Sequence, residues 1–345
     1  MFFAKFSSFS YSLDGLILVL LDYPDVYFTP YYGHLYSDKW EICCYRSVKL
    51  VYHQKPNHHD QLVTPYGYSG IDYDPDQPGD LPEFWKLFYQ HCHEIGYRQI
   101  VIRQQPWCQI DYSNDPELSK WFRVELKCQR PTYGVDLTQY QNRSESDNSR
   151  IPYSLNHFSQ YLSSRSKSFT RPYNRAIDQG FQFEMVQLSN LDHQPTKLKL
   201  LRYFQQLYYK TMDRLKADSW YYFSDNYFEQ LANMPSKYGQ TLLATVRKLG
   251  GEESNNLMEA AAIILTDSQQ TKLHFHLGGS HLNHHNIGIN EMLHAGIIQY
   301  GIRHGYQLYH LGGGRIDGDS LSRFKSKIAN CQFNYQIVEL TLLSS

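Results

Sequence analysis

Arg103, Arg171 and Arg175 are the residues best suited to hold an anion. Arg103 ends the run Gln99–Arg103, and Arg171 and Arg175 stand four apart, on one face of a helix that precedes Gly180. A guanidinium presents a planar fork of donors that fits a phosphate or a carboxylate with two hydrogen bonds. Each also has a plainer reading, as a surface arginine or as the polar face of an ordinary helix. Tyr66 and Tyr68 flank Gly67 within 65–70. They either support a turn or stack on and hydrogen-bond a long polar ligand such as a sugar or peptide. The chain carries 30 Tyr and 18 Phe, for an aromatic share of 15%. That share suits aromatic cores and subdomain seams as well as such a groove.

The histidines invite a zinc hypothesis. His274, His276, His281, His284 and His285 lie within twelve positions, yet no cysteine or carboxylate stands at closing distance in sequence, so the expectation is no metal. His274 and His276 alternate with Phe275 and should face one side of a strand. One of these imidazoles could act as a base, since histidine titrates near neutrality. Ser280 closes the segment Leu273–Gly279, and Asn290 can cap the helix that follows. The exposed amides of such a helix start favour a phosphate. Gly312–Gly314 lacks the spacing of a phosphate loop and reads as a tight strand exit. The run Arg323–Lys327 reads, by itself, as solvated basic surface.

These groups need elements to position them. In the second half, Lys197–Lys216 has the apolar spacing of an amphipathic helix, and Ser224 can cap another that buries Tyr227, Phe228 and Leu231. Thr241–Val246, Met258–Leu265, Leu273–Leu277 and Gln307–Leu311 read as strands, with a helix over Glu291–His304 ended by Gly305. The first three strands should be antiparallel. The last, reached through a helix, should be parallel to the third. A weaker copy of this plan occupies the first half. Lys39–Tyr45 and Val48–Gln54 are strands and 65–70 is a glycine-bearing segment. Asp80-x-x-Glu83 is a capping box before a helix burying Phe84, Leu87, Phe88, Cys92 and Ile95, and Gln99–Arg103 is the next strand. Strand, glycine segment, helix, strand thus occurs twice, over 39–103 and 241–311.

At 345 residues the chain should form two domains, and the polar stretch Gln139–Arg150 divides it into 1–150 and 151–345. Hydrophobic residues make up 41% and charged residues 19%, enough for packed cores. With 33 Lys and Arg against 34 Asp and Glu, the net charge of −1 argues against binding nucleic acid in bulk. The longest apolar run, Leu16–Leu21, is far short of the roughly 20 residues a membrane span needs. No secretory signal is legible at the N-terminus. Six scattered cysteines without a Cys-x-x-Cys fit a reduced, cytoplasmic protein.

Five segments then acquire a common meaning: 168–186 (SFTRPYNRAIDQGFQFEMV), 220–231 (WYYFSDNYFEQL), 273–280 (LHFHLGGS), 290–314 (NEMLHAGIIQYGIRHGYQLYHLGGG) and 319–329 (DSLSRFKSKIA). With 64–70 (TPYGYSG) and 100–106 (IVIRQQP), they resemble the FemAB-type branch of the GNAT-fold acyltransferases, in that family's order. The resemblance covers most of 60–330. It implies an α/β (α+β) fold of two tandem GNAT-like units, each a mixed, mainly antiparallel sheet flanked by helices, with a cleft between them.

The resemblance also implies transfer of an acyl or aminoacyl group to an amine. Such an enzyme would act on a nucleotide- or lipid-linked sugar or peptide in cell-envelope or polysaccharide synthesis. Phe324-Lys325 matches the family's Phe-Lys pair, which makes Lys325 the catalytic candidate, binding acceptor phosphate or stabilising an oxyanion. Tyr66, Tyr68, Arg103, Arg171, Arg175, Ser280, Asn290 and Phe324 are the substrate-binding candidates. No tightly bound cofactor is expected. An acyl-CoA such as acetyl-CoA is the donor placed ahead of aminoacyl-tRNA, because the long helical arm of the relatives that use aminoacyl-tRNA is missing and the chain is not basic; the Arg/Gln-x-x-Gly-x-Gly/Ala coenzyme A loop is missing between 280 and 290 as well. The competing reading is a non-catalytic GNAT-fold module that binds glycan or peptide.

Overall fold

The computed structural model describes residues 2–5, 25–37, 40–108, 110–141, 153–188, 194–248, 258–281 and 286–343. The chain divides into two compact units, Met1–Pro131 with Phe333–Ser345, and Thr132–Gln332. This corrects the division at 150. The break falls inside a strand rather than in the polar stretch, most of which lies outside the described residues, and the last strand rejoins the first unit. The last strand pairs antiparallel with Gln99–Gln104 of that unit.

The first unit orders its strands β1 (Phe2–Lys5), β2 (Trp40–Tyr45), β3 (Val48–Gln54), β4 (Gln61–Val63), β6 (Gln99–Gln104) and β13 (Cys331–Leu342), with the short β5 (Ile71–Asp72) on β3. The helix α1 (Pro30–His34) starts at Thr29, whose side chain accepts the Tyr32 amide. β4 and β6 are parallel, joined through α2 (Asp80–Glu94), and the other pairs are antiparallel. Phe84, Trp85, Phe88 and Cys92 of α2 are buried in this unit's core. The capping box at Asp80 does not form: Gly79 is the N-cap, and the Asp80 carboxylate accepts from the Ser47 amide, the Ser47 hydroxyl and Arg46. A tertiary partner in the β2–β3 turn has taken the oxygen atoms that the helix start would have used.

The second unit repeats the plan. From β7 (Phe122–Asp136) its strand order runs to β12 (Leu308–Gly313), β11 (Lys272–Ser280), β10 (Ala260–Thr266), β9 (Thr241–Lys248) and β8 (Phe181–Leu188). β11 and β12 are parallel and the remaining pairs are antiparallel. The helices are α3 (Tyr153–Ser163), α4 (Lys167–Asp178), α5 (Pro195–Leu215), α6 (Asp225–Ala232), α7 (Ile289–Arg303) and α8 (Ser320–Ile328). Ser224 caps α6 as expected, its hydroxyl accepting the Tyr227 amide.

Every residue of β10 is buried, because helices cover both of its faces. Ala260, Ala262 and Ile264 join the core around α7. Ala261, Ile263 and Leu265 alternate with them, and α5 packs on β10 and β11.

Candidate functional site

In the second unit the parallel pair β11–β12 is short. Only Lys272–Leu308, Leu273–Tyr309 and His274–His310 are in register. Each strand then carries one extra residue. On β11, Ile264 pairs with Phe275 and Ile263 with Leu277, so His276 is a bulge. On β12, His310 pairs with Gly134 of β7 and Gly312 with Tyr133, so Leu311 is another, and Gly312 has φ +75°. A bulge bends its strand and increases the local twist. Two bulges just past the last shared pair turn β11 and β12 apart. His274 meets His310 edge-on at 5.9 Å, and His276 Nε2 hydrogen-bonds the Tyr227 hydroxyl at 2.7 Å.

The helix α8 projects a lysine to the exit of β12. Asp319 caps α8 by accepting the Ser322 amide at 2.6 Å. Two turns on, Lys325 is 6% exposed. Its ammonium donates to the Gly313 carbonyl at 2.8 Å and stands 5.7 Å from the centre of the Phe275 ring. Phe275 stacks on His294 of α7 at 5.1 Å, Phe324 lies 5.5 Å from the same imidazole, and His294 Nδ1 hydrogen-bonds the Tyr309 hydroxyl at 2.8 Å. Burial, with help from the Lys325 charge, pushes His294 down to about 3. A neutral imidazole therefore stands beside the ammonium and does not repel it. Burial and the neighbouring His274 likewise push His276 down to about 3.

Phe324 and Lys325 are thus brought together at the strand exit with Phe275, His294 and Tyr309, which sequence reasoning had not assigned to the site. The signal for His294 was present, as a single imidazole in a helix whose neighbours Met292, Leu293, Ala295 and Ile297 are all buried. The bulges had no such signal. The other candidates in this unit hold the framework. Ser280 donates its amide to Thr211 Oγ1 and its carbonyl accepts from Arg214, which ties the end of β11 to α5. Arg175 is exposed and donates to the Asn286 carbonyl at 2.6 Å; Arg171 is exposed one turn earlier.

Asn290 does not cap α7. The N-cap is Gly288 at φ +96°, where a Cβ would collide with the Pro172 carbonyl of α4, and Asn290 lies inside the first turn. Only part of the histidine-rich stretch falls within the described residues. His281 lines a small depression with Tyr203, Lys210 and Met258, while His284 and His285 lie outside the described residues. Among the described residues, no three His, Cys, Asp or Glu come together as a metal set.

Tyr66, Tyr68 and Arg103 cluster in the first unit, where β4 ends. The Tyr66 carbonyl accepts from the Tyr32 hydroxyl at 2.6 Å. Gly67 has φ +104°, and a side chain there would strike the Tyr27 ring. Tyr68 packs edge-on against Tyr27 at 5.7 Å and Tyr335 at 5.2 Å, and lies 6.3 Å from Trp107. Arg103 is half-buried and donates to the Thr64 carbonyl at 2.9 Å. The aromatic share of the composition is therefore spent here partly on structure, with Tyr66, Tyr68 and Trp107 still partly exposed.

No protein-family model and no curated protein matches the sequence. Solved structures do match the fold. FemX superposes with a TM-score of 0.62 at 13% identity, covering 93% of this chain and 94% of its own. L-PGS from Bacillus licheniformis gives 0.57 at 14%, covering 91% and 87%. The C-terminal domain of a putative lysylphosphatidylglycerol synthetase from Agrobacterium fabrum gives 0.55 at 13%, covering 87% and 84%. At such identities the likeness shows the fold, which is the tandem GNAT-like arrangement expected from sequence.

Proposed function

We propose that this chain is an N-acyltransferase that moves an acyl or aminoacyl group from an activated donor to an amine of a sugar- or peptide-containing precursor. The observation that carries the reading is Lys325, a buried ammonium held at the point where a parallel strand pair opens. The family resemblance and the fold shared with FemX and the lysylphosphatidylglycerol synthetase domain favour acyl or aminoacyl transfer in general.

In the proposed reaction the lone pair of a neutral amine attacks the donor carbonyl and a tetrahedral oxyanion forms. Collapse breaks the bond to the leaving thiol or alcohol, and the amine proton leaves with it. The Lys325 ammonium, which donates to the Gly313 carbonyl, is the group assigned to the oxyanion. The protein's work is to orient two reactants and stabilise negative charge on oxygen. We assign acyl-CoA, acetyl-CoA the simplest, as donor.

Native mass spectrometry of the full chain with a panel of acyl-CoAs and nucleotide sugars tests this. A bound donor, and a product heavier by the acyl group, are the expected results. Binding of the sugar or peptide alone, with no donor bound or consumed, would instead make the chain a non-catalytic binding module.

A further inference from the structure

Among the described residues, eight large hydrophobic side chains are exposed, and five of them, Leu215, Trp220, Tyr222, Ile316 and Leu321, fall in two short segments of the second unit. An ion pair between Arg315 and Asp218, at 3.6 Å, joins the two segments. Both are fixed by polar contacts. The Asp319 carboxylate accepts the amides of Arg315 and Ile316 at 2.7 and 3.1 Å, which holds Ile316 out at 70% exposure. In the other segment, Tyr208 and Tyr209 donate to the carbonyls of Tyr221 and Phe223, and the Tyr222 hydroxyl donates to Asp213 at 2.8 Å. Trp220 is left 51% exposed, stacked on Tyr221 at 3.7 Å.

The surroundings are basic. Leaving out the buried Lys325, residues 210–222 and 315–327 hold six Lys and Arg against four Asp, in a chain whose 33 Lys and Arg fall one short of its 34 Asp and Glu. Separate apolar tips on fixed turns, with tryptophan and tyrosine among them and positive charge around them, make a poor docking face for a shape-matched protein. They match a lipid surface, where aromatic rings settle at the headgroup level and aliphatic tips enter the acyl boundary. Basic side chains add attraction to anionic headgroups.

We infer that the turns at Trp220 and Ile316 form one surface by which the second unit docks on an anionic lipid bilayer. This needs no spanning segment, and no described helix is long and apolar enough to cross a membrane. It is also independent of the transferase reading.

The test is flotation of the full chain with vesicles of phosphatidylcholine alone and of phosphatidylcholine mixed with phosphatidylglycerol. The chain should float with the mixed vesicles and far less with the neutral ones. The double variant Trp220→Ser/Ile316→Ser should lower the bound fraction about tenfold, the scale of two partly buried apolar tips. Circular dichroism should be unchanged, and Ile177→Ser, exposed elsewhere in the unit, should bind as the parent does. No flotation with anionic vesicles, or flotation that the double variant leaves intact, overturns the inference. Self-association that the double variant abolishes, without vesicle binding, overturns it in favour of a second copy of the chain.

Discussion

The two units contain the same opening, a three-residue parallel pair followed by divergence, and treat it in opposite ways. In the first unit the gap is stitched. Beyond Val63–Val101, Thr64 donates its amide to the Val101 carbonyl, and its hydroxyl accepts the Arg103 amide at 2.9 Å. Gln104 then accepts from the Ile71 amide at 2.9 Å and the Tyr112 hydroxyl at 2.5 Å, and donates to the carbonyls of Ile71 and Cys108. In the second unit the place has two bulges and a lysine. A satisfied glutamine rigidifies an interior, whereas a buried cation beside a neutral imidazole presents charge. The repeated plan thus gives one pair that is held shut by hydrogen bonds and one that bulges apart beside a buried lysine.

The sharpest way to break this comparison is Lys325→Ala. Turnover should fall about a hundredfold or more with the circular dichroism unchanged, the scale of one lost electrostatic stabiliser. Lys327→Ala, exposed two residues on, should cost little. Partial rescue by Lys325→Arg would favour phosphate binding over an oxyanion contact. Equal small effects at 325 and 327 would remove Lys325 from the chemistry.

Gln104→Leu probes the other opening. It strands the Ile71 and Cys108 groups that the amide now satisfies, and should lower stability by about 2 kcal/mol in denaturant titrations. Transfer by the folded fraction should be unaltered. A loss of turnover comparable to that of Lys325→Ala would show that the stitched opening also serves catalysis.

Acid should separate the two units next. His276 and His294 are pushed from 6.5 to about 3 by burial, so below pH 6.5 the unfolded chain takes up protons that the folded chain refuses. Stability is therefore lost as pH falls from 6.5 toward 3. At pH 5.5 each histidine costs about 1.4 kcal/mol relative to neutral pH. Hydrogen exchange should reveal loosening in β11 and α7 before the strands of the first unit, and His294→Gln should remove its share. Uniform loosening, unchanged in that variant, would contradict the assignment.

The smallest effect is expected at Asn290. Since Gly288 starts α7, Asn290→Ala should shift the melting free energy by less than about 0.5 kcal/mol. Gly288→Ala, which forces a Cβ onto the Pro172 carbonyl at positive φ, should cost clearly more. The reverse order would restore Asn290 as the cap.

Much of the framework was legible because its causes are local. The apolar spacing of Lys197–Lys216 gave a helix found at Pro195–Leu215, Ser224 gave its cap, and Val48–Gln54 is a strand to the residue. Lys325 is buried although the run Arg323–Lys327 by itself reads as solvated surface; only its neighbour Phe324 and the family pattern set it apart in the sequence. Asp80 and Asn290 were misread for one reason. Both are good capping residues, but the local preference is worth only about 1 kcal/mol, and a tertiary demand outbid it. For Asp80 the demand is the turn at Ser47; at Asn290 it is the packing of Gly288 on Pro172.

The sequence by itself determined the periodic elements, their repeated order and the parallel pair of the second half, because burial of an apolar face and the chirality of a helical crossover constrain every chain alike. Only the tertiary structure decided which strands β13 joins, where β11 and β12 bulge, and which imidazoles and rings surround Lys325. Those outcomes depend on backbone partners far away in the chain. Strand pairing satisfies whichever N–H and C=O groups meet in space, so Gln336 faces Gln104 and Leu308 faces Asp136 across separations that no local pattern records.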